Sequence, residues 1–321
     1  MRAMQVTEHN SPLALQTLDT PMPAAGEVQV QVATCGLNFG DTLLVKGSYQ
    51  EKPALPFTPG MELAGTITAV GEGVEGLEIG QRVVAYSGIG GLAEYAVLSA
   101  KICVPLPDQM SFEDAAAFLI TYGTSHLALG AKAGLLEGER LLVLGASGGV
   151  GLTAVELGHL MGAEVIACAR GADRLAICAQ KGADHLIDSD TQDIRETVKA
   201  LGGADVVYDP IGGDQFKAAM RASNQGARLL PLGFASGEVP QIPANILLVK
   251  NMTVLGFYLG GFAKLNPKAM TQSIETLIGW YVEGKLKPHV SNVLPLEKAN
   301  EGLDLLRTRQ ATGKVVVQVA S

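Results

Sequence analysis

The sequence predicts an α/β protein: a β-rich segment, then a parallel doubly wound sheet, then a return to the first segment. Val28, Val30 and Val32 alternate with Gln29 and Gln31, the period-two pattern of a half-buried strand. From Arg140 onward, apolar runs alternate with helical patterns, which implies βαβ units and a parallel sheet. After Asn266-Pro267 comes a helical apolar stripe, and then a short terminal strand.

In the first third, further short strands are expected at 63–70, 81–87 and 93–98, punctuated by glycines such as Gly71, Gly76 and Gly88. Short strands and frequent turns suggest a barrel or sandwich. Between them, 40–46 reads as a short helix. Ser111-Phe112-Glu113-Asp114 is a helix start, with Ser111 as N-cap. The strands of the middle segment are expected at 141–145, 164–169, 185–187, 204–209, 227–233 and 252–257. The last of these would leave a sheet edge unpaired, and a C2 homodimer would cover it. Near the end, Met270, Ile274, Leu277, Ile278, Tyr281 and Val282 form one apolar face that closes near Gly284, and a second helix is expected at 296–309. These faces need a partner, and the middle sheet looks complete without them. The tail should therefore rejoin the first domain.

Composition removes several classes of function. The 321 residues are 47% apolar and 17% charged, which supplies a large core and excludes wholesale disorder. A net charge of -8 argues against nucleic acid as partner. The four cysteines, Cys35, Cys103, Cys168 and Cys178, contain no CxxC pair, so neither a disulfide scaffold nor a zinc ribbon is expected. Residues 1–9 hold no apolar signal-peptide core, and the long uncharged stretch 115–131 is too polar for a bilayer. A cytoplasmic protein without membrane attachment is the expectation.

The strongest chemical signal is Leu141-Leu142-Val143-Leu144-Gly145-Ala146-Ser147-Gly148-Gly149-Val150-Gly151. An apolar strand runs into a glycine turn and then a helix, and a second strand follows at βαβ spacing. Residues without side chains let backbone amides approach a pyrophosphate, and the helix N-terminus favours its charge. An acidic residue at the end of the second strand would select NAD. This chain has Arg170 there, and Arg174 one helical turn further on, which suits the 2′-phosphate of NADPH. Asp188 and Asp190 nearby could weaken such a phosphate site.

These motifs, together with Pro59-Gly60-Met61-Glu62-Leu63-Ala64-Gly65 and Asp209-Pro210-Ile211-Gly212-Gly213, resemble the medium-chain dehydrogenase/reductase superfamily. Within it the chain is similar to the zinc-free quinone oxidoreductase (zeta-crystallin-like) branch, over essentially its whole length. The resemblance implies a GroES-like barrel domain at 1–117 with 266–321, and an inserted Rossmann domain at 118–265. It also implies a dimer. Zinc-dependent relatives carry a cysteine ligand after a Cys-Gly step and a histidine within Gly-His-Glu. Here Asn38 follows Cys35-Gly36-Leu37 and Met61 stands between Gly60 and Glu62, so no metal site is expected.

By the same resemblance, Asn38, Asp41 and Tyr49 are the catalytic candidates, with Asn38 close to the nicotinamide ribose or the substrate. Structural alternatives are open for all three: Asn38 and Asp41 could cap the short helix, and Tyr49 could pack on an apolar surface. Thr124 matches a threonine near the nicotinamide, with Thr121 as the competing alignment. Gly145, Ala146, Ser147, Gly148, Gly149 and Val150 would hold the pyrophosphate. Ser189 stands where many relatives place a tyrosine beside the adenosine phosphate. Gly233, Phe234 and Phe257 follow strand ends, and Lys314 would approach the cofactor from the tail.

The implied activity is metal-free and flavin-free hydride transfer from NADPH to a quinone-like acceptor. The alternative is an enoyl reductase acting on alkenals or 2-enoyl thioesters. A non-catalytic protein that retains the fold is a third reading, and the intact glycine loop argues against it.

Overall fold

A computed structural model describes residues 1–320. The chain forms two compact units, one of Met1–Ile120 together with the chain from Pro288 onward, the other of Thr121–Lys287.

The first unit is built on antiparallel strands. Glu27–Leu37 pairs with Glu62–Val70 on one side and Lys314–Gln318 on the other, and its N-terminal half also pairs with Tyr95–Ser99. One strand can serve three partners because register shifts between Gln29 and Val30, and between Val32 and Thr34, bend it. Arg82–Tyr86 and Cys103–Pro105 extend the sheet at one end, and Val290–Pro295 extends it at the other. The valines of the period-two pattern point into a core with Leu63, Ile67, Val83, Val315 and Val317. Two features of this unit carried little sequence signal: the hairpin Arg2–Gln5 with Ala14–Thr17, and the strand Val290–Pro295.

The second unit holds a six-stranded parallel sheet. Its order is His185–Asp188, Glu164–Ala169, Arg140–Leu144, Ala204–Asp209, Ser223–Pro231, Thr253–Val254. In chain order this is 3-2-1-4-5-6, the dinucleotide-binding topology, whose switch point lies beside the first strand. Leu141, Leu142, Val143 and Leu144 are buried, as a strand covered on both faces requires. The last strand is shorter than the expected 252–257, with only two residues pairing.

The return to the first unit falls at Pro288, later than the expected 266. The amphipathic helix Pro267–Val282 stays with the second unit because that unit offers it a polar anchor as well as apolar surface. His126 Nδ1 lies 2.7 Å from the buried Ser273 Oγ, and the imidazole meets Trp280 edge-on at 5.4 Å. The Ser111 cap forms as expected, its hydroxyl accepting from Asp114 N at 3.0 Å. That helix closes at Ala116, and a new one, Leu119–His126, follows.

Candidate functional site

In the second unit, the strand Arg140–Leu144 ends at Gly145, which has φ +57°. Ile211 closes over it: a Cβ at Gly145 would lie 2.6 Å from Ile211 Cδ1. Gly151 is equally constrained, since its Cβ would stand 2.2 Å from the Gly145 carbonyl. Gly148 differs. It is the N-cap of the helix Gly149–Leu160, and its missing side chain leaves open space with only the Gly145 carbonyl near, at 3.4 Å. No side chain caps this helix among the described residues, so its first-turn amides remain as donors. Ala146 N is satisfied by Cys168 O at 3.0 Å, which ties the loop to the second strand. An uncapped helix N-terminus behind a side-chain-free turn fits the pyrophosphate of a dinucleotide.

At the end of the second strand Arg170 is exposed and Arg174 half-buried. Burial, and then the positive charge of Arg170, pull the Arg174 guanidinium below its ordinary value, so the two cations feel one another. Asp188 is committed to the backbone: its Oδ1 accepts from Gly171 N and from Asp190 N, both at 3.1 Å. These amides, the Gly171 one foremost, hold the carboxyl below its usual range. Asp188 therefore shapes the turn that carries Arg170. Ser189 is half-buried, with its amide on Ala169 O at 2.9 Å.

Asp209, fully buried at the end of the strand Ala204–Asp209, folds the Asp-Pro-Ile-Gly-Gly turn upon itself. Its carboxylate accepts from Ile211 N at 2.8 Å and Gly212 N at 2.9 Å, which seats Ile211 on Gly145. Phe234 is 40% exposed and lies over Gly212, where Gly233 follows the sheet end. Phe257 is buried and packs on Phe262 at 5.3 Å. Thr124 is nearly buried, next to a hydroxyl chain in which Ser125 Oγ lies 2.8 Å from both Thr153 Oγ1 and Tyr208 OH. Thr121 uses its carbonyl to accept from Thr153 Oγ1 at 3.1 Å.

The first unit gathers Asn38, Asp41 and Lys314, and adds Glu62, which lies within the Pro59–Gly65 motif and was not among the candidate site residues. Asn38 is the N-cap of the helix Phe39–Lys46, and Asp41 reaches back to it, its Oδ2 accepting from Asn38 N at 2.9 Å while its own amide donates to Asn38 O at 3.0 Å. Asp41 Oδ1 accepts from Gly60 N and Met61 N at 3.1 Å each. Burial pushes this carboxyl up to about 6, although these amides and the nearby Lys314 ammonium pull the other way. Glu62 is fully buried and forms an ion pair with the 4% exposed Lys314. Lys314 Nζ also donates to Asn38 Oδ1 at 2.8 Å, and Asn38 Nδ2 donates to Glu62 Oε1 at 3.0 Å. Tyr49 is half-buried and approaches the same helix start, its ring and the Met61 thioether both covering Gly40.

This donor set does not fit zinc. Cys35 is sealed between Gly60 and Gly91, where a Cβ at either would stand 2.7 Å from its Sγ. Burial drives the thiol far above its ordinary value. Met61 faces Gly40, and the cation beside Glu62 is the Lys314 ammonium. No group of three His, Cys, Asp or Glu side chains among the described residues is arranged to hold a metal ion.

Comparison with known proteins finds a family for each of the two units. Residues 24–108 match the alcohol dehydrogenase GroES-like domain family, and 149–277 match the zinc-binding dehydrogenase family. A quinone oxidoreductase-like protein 2 homolog of Nematostella vectensis is 40% identical, over 98% of this chain and 88% of its own length. The quinone oxidoreductase of Thermus thermophilus, solved also with NADPH, is 33% identical and superposes with a TM-score of 0.88 over 99% of this chain and 100% of its own. The NADPH complex of the Escherichia coli quinone oxidoreductase gives 27% identity and a TM-score of 0.93 at the same coverage of both chains. The chain belongs to the quinone oxidoreductase branch of the medium-chain dehydrogenase/reductase superfamily, and it is an oxidoreductase of the medium-chain reductase type.

Proposed function

We propose that this protein reduces a small quinone-like acceptor with NADPH. The observation that carries the reading is the uncapped N-terminus of Gly149–Leu160 behind Gly145–Gly148, with Arg170 and Arg174 in electrostatic reach of one another. When bound, the cofactor supplies a hydride from its reduced nicotinamide. The chain's residues do the remaining work. The amides of Ser147, Gly149 and Val150 hold the pyrophosphate, with Gly148 N closing the turn on Gly145 O at 3.0 Å, and the two guanidiniums hold the 2′-phosphate, for which a planar fork suits the oxyanion. Gly233, Phe234 and Phe257 at the sheet end and Thr124 bound the nicotinamide. Asn38, held by Asp41 and Lys314, orients the reacting end, and Tyr49 flanks the acceptor.

An acceptor that is already electrophilic needs no Lewis acid. A quinone meets that condition, and the ammonium of Lys314 supplies fixed positive charge beside Asn38. Steady-state NADPH oxidation with 1,4-benzoquinone, an alkenal and a 2-enoyl-CoA in parallel tests the substrate class. Turnover with the enoyl-CoA and none with the quinone would overturn it.

The working form we propose is a homodimer. The strand Thr253–Val254 ends the parallel sheet with one edge unpaired, and the preceding helix leaves Leu248 78% and Val249 69% exposed. Light scattering at micromolar concentration should give twice the chain mass. No helix among the described residues is long and apolar enough to cross a membrane.

A further inference from the structure

The reaction proposed above gives Glu62 no part, yet its carboxylate is fully buried and joins three segments of the first unit. Oε1 accepts from Lys314 Nζ and from Asn38 Nδ2, and Oε2 accepts from Ile120 N at 3.0 Å. Such a residue has a strong stabilising role available to it. The arrangement around Asn38 indicates a more specific one.

An ammonium can only donate and a carboxylate can only accept. The Asn38 carboxamide lies between the two, so its orientation follows from their chemistry: Oδ1 toward Lys314, Nδ2 toward Glu62. Both protons of Nδ2 are then committed, one to Glu62 Oε1 at 3.0 Å and one to Gly36 O at 3.2 Å. Oδ1 accepts one bond, from Lys314 at 2.8 Å, and keeps a second lone pair. The backbone of Asn38 is fixed independently by Asp41. We propose that Glu62, with Lys314 as counter-charge, is a positioning residue that holds the Asn38 carboxamide with only its acceptor open to a ligand.

The group that Asn38 reads must therefore bring a donor hydrogen, from a hydroxyl or an N–H. A ligand group that could only accept would find no partner on this side chain. Without the carboxylate, the amide is free to turn over and present its NH2 instead. The inference rests on the reading that Asn38 meets the reacting end of the cofactor.

The experiment measures NADPH and 2′,5′-ADP binding by calorimetry. The second probe carries the 2′-phosphate and lacks the nicotinamide. Glu62→Gln combined with Lys314→Met removes the pair without leaving a buried charge alone. The expected result is 2′,5′-ADP affinity within about twofold of wild type and NADPH affinity lower by about tenfold, one hydrogen bond's worth. Asn38→Ala alone should cause a similar loss, and added to the double variant it should cost nothing more. If Asn38→Ala costs the same factor in both backgrounds, or the double variant binds NADPH as wild type does, the positioning role is overturned. Should the double variant lose its cooperative thermal transition, Glu62→Leu with Lys314→Met, an apolar pair that offers Asn38 no acceptor, carries the same cycle. A wild-type protein that does not bind 2′,5′-ADP overturns the nucleotide reading itself, and this inference with it.

Discussion

The backbone amide of Lys287 donates to Glu156 Oε1 at 3.1 Å, which fastens the last residue of the second unit to the middle of the glycine-loop helix. The same carboxylate accepts from Lys181 Nζ at 2.9 Å and, through Oε2, from Tyr122 OH at 2.5 Å. Tyr122 is the second residue of that unit, so its entry and exit share one anchor.

Breaking this node should loosen the second unit. Glu156→Ala takes the carboxylate from Lys181 and leaves the ammonium only the Lys287 carbonyl at a nearly buried site, a change that costs about 3 kcal/mol, the low end for such pairs. Tyr122→Phe removes the hydrogen bond to Glu156 and should cost about 1 kcal/mol. Urea denaturation followed by the fluorescence of Trp280, the chain's one tryptophan, reports the change within this unit. An unchanged midpoint in Glu156→Ala would show that the node contributes nothing.

Cofactor preference should depend on Arg170. Arg170→Ala should raise the Michaelis constant for NADPH by about tenfold and leave that for NADH nearly unchanged, since one charge-assisted contact is worth roughly 1.5 kcal/mol. Arg170 is exposed, and Asp190 acts on Arg174, which keeps the effect at this low end. With Arg174→Ala added, the enzyme should approach indifference between the two nucleotides. Equal weakening of both by Arg170→Ala would contradict the assignment.

A pH dependence follows from Asp209, whose carboxyl burial pushes up to about 6. The folded state holds this proton more tightly than the unfolded chain, where the group titrates near its ordinary 3.8. Between these values the unfolded state loses its proton first. The group's contribution to stability is therefore fully present at low pH, falls as pH rises through this window, and is level above it. The stability of wild type relative to Asp209→Asn should decline between about pH 4 and pH 6, by at most ~1.4 kcal/mol per pH unit. Chemical denaturation of both proteins across this range checks the sign.

Metal removal should have no effect. Cys35 is sealed, Met61 covers Gly40, and Lys314 neutralises Glu62, so exhaustive chelation should leave turnover of NADPH with a quinone unchanged. Stoichiometric zinc by elemental analysis, lost together with activity, would refute this.

Most of the fold was legible because its signals are local. The run from Leu141 to Gly151 states strand, turn and helix within eleven positions, and the alternation of Val28, Val30 and Val32 marks one face of a strand. Glu62 was visible only as a neighbour of Met61. Its role depends on Lys314, 252 positions along the chain, and no periodicity encodes such a pairing. The same reason hid the Glu156 node, which takes ligands from 25 to 131 positions away. The place of Pro267–Val282 in the second unit was not legible, because an apolar stripe shows that a helix needs a partner without naming it. Asp188 shows in the sequence as a charge near the phosphate site, and its hold on the turn at Gly171 does not, because backbone amides leave no mark in a sequence.

Quinones and enones add readily to thiolates, so an enzyme that handles them risks being alkylated by its own substrate. All four cysteines here are buried. Burial raises Cys103 to about 11 and both Cys168 and Cys178 to about 12, with Cys35 also well above its ordinary value. At neutral pH the thiolate fraction of Cys103 is then about one in ten thousand. The glycines that seal Cys35 thus have a second effect beyond packing: an electrophilic acceptor of the kind proposed meets no exposed thiolate on this chain.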